Sequence, residues 1–150
     1  MDREENRPAP IVCATRGGKS CQSTQGEAIF LAQERGAELF FLFVADPSFA
    51  GPIDEALRNA LVDELARLGR WILHLAQKRA SAEGLEAQVV VRQGTVRECI
   101  VDYIQQINAG TLVIGSPRLG SERQEFTTDE LNRFASDIQQ ATGAEVVIAA

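Results

Sequence analysis

Six apolar residues in a row, Leu39-Phe40-Phe41-Leu42-Phe43-Val44, leave little choice of fold. A strand with one wet face alternates apolar and polar side chains. This run does not alternate, so both of its faces have to be covered, as they are in a parallel sheet with helices on either side. Ile11-Val12-Cys13-Ala14-Thr15 reads as a second buried strand. Ala87 to Val91, Thr111 to Ile114 and Val146 to Ala149 supply three more.

Helical patterns separate the strands. The first helix is expected to begin near Ser23 or Thr24, to carry Ala28, Ile29, Leu31 and Ala32, and to stop at Gly36. Asp46 to Ile53 holds two prolines and a glycine and reads as a loop. Asp54 is placed to cap a long helix running to about Ala82, with Gly84 ending it. Along that helix Leu57, Leu61, Leu65, Leu68, Ile72 and Leu75 recur at steps of three and four and form one apolar stripe. Arg58, Asp63, Arg67, Arg70 and Lys78 form a charged face that reads as solvated. Thr95 and Glu98 are the ends of a capping box opening a third helix, whose inner face is Ile100, Val101, Ile104 and Ile107. Asn108-Ala109-Gly110 closes it. Thr127 and Glu130 form a second box ahead of Leu131, Phe134, Ala135 and Ile138. Strands and helices therefore alternate from end to end, and right-handed crossovers turn that order into a three-layer α/β sandwich.

The length of 150 residues fits one domain. Residues 1–9 are expected to form a loose tail and 10–150 the domain. The polar start, Met1 to Pro10, lacks the apolar core of a secretory signal, and nothing approaches the roughly 20 apolar residues of a membrane span. Cys13, Cys21 and Cys99 make no Cys-x-x-Cys pair and His74 is the one histidine, which disfavours a structural zinc site and suits a reducing compartment. A cytoplasmic location is expected. The net charge of −6 argues against a general nucleic-acid binder, which needs a basic face.

The stretch from Ile11 to Gly26 carries the chemistry. An apolar strand stops at Gly17-Gly18 just before a helix, so backbone N–H groups and the positive helix end converge on one spot suited to an anion. Arg16, Lys19 and Ser20 surround it. Gly18-Lys19-Ser20 has the tail of a Walker A loop, but the first glycine of that motif would fall on Cys13, inside the strand. The Ser-Gly-Gly-x-Asp-Ser loop of ATP pyrophosphatases is matched only at the two glycines. His74 has no marked catalytic partner and reads as a structural or surface residue. Cys13 and Cys99 read as small core residues, while Cys21 lies near the crevice. Asp46, ending the second strand, is placed either to meet a ligand or to cap the turn after it.

Taken together, Ile11 to Thr15 with Gly17, Gly36 to Asp46, Val89 to Gly94 and Gly110-Thr111-Leu112-Val113-Ile114-Gly115-Ser116 resemble the universal stress protein family over nearly the whole chain. The resemblance implies a flavodoxin-like or Rossmann-like domain with strand order 3-2-1-4-5 and a ligand crevice between strands one and four. It also implies homodimers joined through the last strand, 146–149, whose open edge invites pairing in any case. Members that bind ATP or AMP, with Mg²⁺, carry an Asp at the end of the first strand and a Gly, two residues, Gly, nine residues, Gly, Ser/Thr loop after the fourth. Here the Asp position is Arg16 and the second glycine position is Arg118; the final pair falls on Thr128-Asp129 by count, or near Asn132-Arg133, with a longer loop, when the last helix is aligned by Phe134 and Ile138. Gly120 and Ser121 partly substitute. The expected crevice is therefore Arg16, Gly17, Gly18, Lys19, Ser20, Val44, Gly115, Arg118, Gly120 and Ser121. The function expected is a non-catalytic binding or signalling module in stress response, whose degenerate nucleotide motif binds another anion or nothing, with a protein partner that the sequence does not name. The alternative is an ATP- or AMP-binding switch or slow ATPase.

Overall fold

The computed structural model describes residues 8–16, 19–115 and 128–149, apart from the side chains of 19–21, 49 and 128. Among these residues five strands alternate with four α-helices: β1 (Ile11–Ala14), α1 (Lys19–Arg35), β2 (Leu39–Ala45), α2 (Glu55–Ala82), β3 (Ala87–Gln93), α3 (Val96–Ile107), β4 (Thr111–Gly115), α4 (Thr128–Thr142) and β5 (Glu145–Ala149). The sheet is parallel throughout, in the order β3-β2-β1-β4-β5. In β1, Ile11 pairs with Leu39 on one side and Thr111 on the other.

The unalternating runs are buried on both faces, as their composition requires. Side chains of β1 and β2 divide by parity. Ile11, Cys13, Phe41 and Phe43 meet Ala28, Ile29 and Ala32 of α1 and Ala66, Leu73, Ala76 and Ala80 of α2. Val12 and Leu42, with Leu112 and Ile114, meet Ile100, Tyr103 and Ile104 of α3 and Leu131 and Ile138 of α4. Tyr103 joins that face edge-on to Phe40, at 6.2 Å between ring centroids, with the Arg92 guanidinium over its ring.

The leucine stripe of α2 is not what lies on the sheet. The fully covered residues are Ala66, Gly69, Leu73, Ala76 and Ala80. Leu65 and Ile72 reach the edge of the core, but Leu57, Leu68 and Leu75 are 56%, 52% and 50% exposed. Small residues let the helix axis come close to the strands. At Gly69 a Cβ would run into the ring of Phe43, so glycine is required there. Each exposed leucine forgoes part of the roughly 1.5–3 kcal/mol that full burial would contribute.

Two helix starts also differ from expectation. Helix α1 begins at Lys19 rather than at Ser23 or Thr24. Its apolar pattern starts late because Thr24 and Gln25, though polar, are buried against β1. The Gln25 Nε2 donates to the Thr15 hydroxyl at 2.9 Å, and Arg79 of α2 donates to the Gln25 Oε1. At α3 the Thr95 side chain makes no cap hydrogen bond. The Asp46 carboxylate, from the end of β2, takes the Val96 N–H instead at 3.1 Å. Asp54 caps α2 as expected, accepting from the Leu57 N–H at 2.8 Å. Gly36 and Gly84 take positive φ at helix ends, and Asn108 ends α3 in the left-handed region. The Thr127 end of the last capping box lies outside the described residues.

Candidate functional site

In an open parallel sheet, neighbouring strands whose crossovers leave on opposite faces part at their carboxyl ends and leave a crevice. Here the parting strands are β1 and β4: α1 follows β1 onto one face, and α4 follows β4 onto the other. A cleft of about 740 Å³ opens there. Its floor is the strand ends: Ala14 and Thr15, Leu42 to Val44, and Ile114 with Gly115. Its walls are apolar, with Leu65 and Leu68 from α2, Ile100 from α3 and Leu131 and Phe134 from α4. Polar groups stand among them: Arg16, Asp46, Ser48, Thr95 and Arg97. A smaller polar hollow of about 360 Å³, between the end of α2 and the start of β3, lies at the other end of the strands.

Each polar group is set by its element. Thr15 is held at the tip of β1 by its N–H, which donates to the Leu42 carbonyl at 2.9 Å, and by the Gln25 side chain. Arg16 follows it, exposed at the rim. Asp46 leaves β2 and caps a 3-10 turn, Pro47–Ala50, by accepting from the Ser48 N–H at 2.9 Å while its other oxygen takes the Val96 N–H. Burial pushes the Asp46 carboxyl up. The Ser48 hydrogen bonds, the Val96 N–H and the nearby Arg58 outweigh that and hold it below its ordinary value. Gly115 ends β4 beside the buried Thr24, whose hydroxyl would stand 2.7 Å from an added Cβ. Arg97 on α3 pairs with Asp137 of α4 at 3.8 Å.

Of the residues expected in the crevice, Arg16, Val44 and Gly115 line the cleft. Lys19 and Ser20 form the first turn of α1. Gly17, Gly18, Arg118, Gly120 and Ser121 lie outside the described residues. Asp46 lines the cleft while doing the capping work that was its alternative reading. Thr15, Thr95, Arg97 and the apolar walls from α2, α3 and α4 were not anticipated. The signal for the walls was present in Ile100, Leu131 and Phe134, which were placed as apolar residues of the third and last helices. Cys13 is buried as expected; Cys99 is only half-buried, not a core residue, because its helix position borders Gly94 at the edge of the sheet. Burial and the carboxylates of Asp102, Asp46 and Glu98 push its thiol up. His74 is exposed.

The sequence model of the universal stress protein family matches residues 9–130. This chain belongs to that family. Solved structures of low identity share its fold. Universal stress protein UspA from Lactobacillus plantarum is 20% identical, with a TM-score of 0.76 over 96% of this chain and 99% of that one. A universal stress protein in complex with cAMP is 21% identical, with a TM-score of 0.69 over 95% and 97%. The universal stress protein from Archaeoglobus fulgidus in complex with dAMP is 18% identical, with a TM-score of 0.60 over 95% and 98%. No curated protein matches the sequence. Among the described residues, no helix is long and apolar enough to cross a membrane.

Proposed function

We propose that this universal stress protein is a binding module of the stress response, and that its cleft takes a mononucleotide-sized anion without performing bond chemistry on it. The observation that carries this reading is the cleft itself. Its volume of about 740 Å³ falls within the range of small-molecule sites, and it joins apolar walls to the Arg16 guanidinium at the tip of β1. That pairing suits a flat base at one end and a phosphate at the other, because guanidinium groups pair with phosphate oxygens in two parallel hydrogen bonds. The complexes of two structural neighbours with cAMP and dAMP support an adenine mononucleotide as the first probe. An Mg²⁺ ion would arrive with the phosphates of ATP rather than be held beforehand by the protein. Among the described lining residues Asp46 is the single carboxylate, and its oxygens are already engaged by two N–H groups. This favours a ligand-biased module over a slow ATPase.

The test is to denature purified protein and chromatograph what it releases, beside melting scans with AMP, cAMP and ATP with Mg²⁺. A ligand at 100 times its dissociation constant adds about 2.7 kcal/mol of stability. An upward melting shift that Arg16→Ala reduces and Val44→Trp abolishes is the expected result. Neither released nucleotide nor a shift with any of the three would remove the nucleotide reading.

A further inference from the structure

Helix α2 has two apolar sides, and the sheet covers one of them. Its buried positions are 66, 69, 73, 76 and 80. Two residues further along from 66, 69 and 73 stand Leu68, Trp71 and Leu75, displaced by about 200° around an ideal helix and so nearly opposite. They are 52%, 65% and 50% exposed, and Leu68, which also borders the cleft, marks the edge of this side. Leu57, Leu61, Glu64, Leu68, Trp71 and Leu75 follow one another at alternating steps of four and three. That is the 3.5-residue period of a coiled-coil seam, not the broader stripe of a helix lying on a sheet.

Charge along the helix selects the occupant. From 54 to 64 the segment holds Asp54, Glu55, Asp63 and Glu64 against the single Arg58. From 65 to 78 it holds Arg67, Arg70 and Lys78 and no carboxylate. A helix that is acidic in its first half and basic in its second is complementary to itself when reversed, and reversal also opposes the two helix dipoles favourably.

We propose that the exposed face of α2 is an interface for a second copy of this chain, paired antiparallel about residue 66. In that register Leu57 of one copy faces Leu75 of the other, and Leu61 faces Trp71. Glu64, the one charged seam position, faces Leu68 and stands beside Arg67 of the other copy. Glu64 already pairs with Arg67 of its own chain at 3.9 Å, so the centre of the interface is a compensated quartet of charges. The interface is separate from the open edge of β5.

Cysteine cross-linking tests the register. Leu57→Cys combined with Leu75→Cys, under a mild oxidant, is expected to give a covalent dimer that reductant dissolves. Each single variant, and the parent chain with its own cysteines, is expected to give none. Across the antiparallel pair the two copies of residue 57 lie about 27 Å apart along the axis, well beyond the roughly 4.4–6.8 Å between Cα atoms that a disulfide spans. Chains are compared only where their helical circular dichroism matches the parent. The double variant is then repeated with Val147→Asp, which leaves α2 untouched. A covalent dimer that persists there supports the helix interface. Absence of any cross-link in the double variant, equal cross-linking by a single variant, or loss of the cross-link with Val147→Asp would overturn it.

Discussion

Gly69 of α2 sits directly over the ring of Phe43, with no room for a Cβ between them. The ring belongs to β2 and is 5% exposed, so it has nowhere to turn. Helix propensity alone favours alanine over glycine by up to about 1 kcal/mol, yet here the contact should win. Gly69→Ala is expected to lower stability by about 1–3 kcal/mol, the usual cost of overpacking. A fall in the urea midpoint without a change in slope would show it; an unchanged or raised midpoint would mean that α2 does not lie as close to β2 as described.

Asp46 holds two chain segments with one carboxylate, the turn after β2 and the first turn of α3. Asp46→Ala is expected to cost about 1–2 kcal/mol, as loss of a capping side chain does. The carboxyl is held below its ordinary value in the folded protein. Its ionic contribution is therefore complete above the unfolded value of about 3.9 and is lost as the pH falls through the lower folded value. The stability gap between parent and variant should narrow below about pH 4. A gap that stayed constant down to pH 2 would show that the charge contributes nothing.

Gly115 has two candidate reasons to be glycine. A ligand could need close backbone approach, or Thr24 could need the space. If the second holds, Gly115→Ala lowers the melting temperature of the ligand-free protein, because the buried Thr24 hydroxyl is displaced. If only the first holds, the ligand-free melting curve is unchanged and the shift with added nucleotide disappears.

Among the described residues the outer edge of β5 pairs with no strand, and Val146, Val147 and Ile148 are half-buried. We propose that this edge also joins copies of the chain, and Val147→Asp is expected to halve the sedimenting mass of whatever assembly it supports. A mass equal to the parent's at micromolar concentration would remove the strand-edge interface.

Much of the fold was legible because unalternating apolar runs and their turn residues are local signals. The run Leu39 to Val44 announces two covered faces, and Gly36, Gly84 and Asn108 announce helix ends. The strand order was not in the local pattern; it came with the family resemblance. The buried side of α2 was misread because periodicity weighs leucines heavily, whereas the contact with the sheet is made largely by alanine and glycine. The α3 cap was misread because its partner, Asp46, is fifty residues away in sequence. At the site, Arg16, Val44 and Gly115 could be named because they sit where strands end. The walls could not, since a residue such as Phe134 is only an apolar helix position until the elements on both faces of the sheet are brought together.

Thr15, Gln25 and Arg79 link the tip of β1, α1 and α2 in one line of hydrogen bonds. Around that line much of the layer is small-residue contact from Ala28, Ala32, Ala66, Ala76 and Ala80, beside the close seat of Gly69 on Phe43. Apolar contact has no direction and would tolerate a helix sliding by a fraction of a turn; hydrogen bonds do not. The three side chains thus act as an index pin. With the seat of Gly69 on Phe43 they fix the axial position of α2, and travel of that helix along the sheet breaks the Arg79–Gln25 bond, the link that joins it to the threonine on the floor of the cleft.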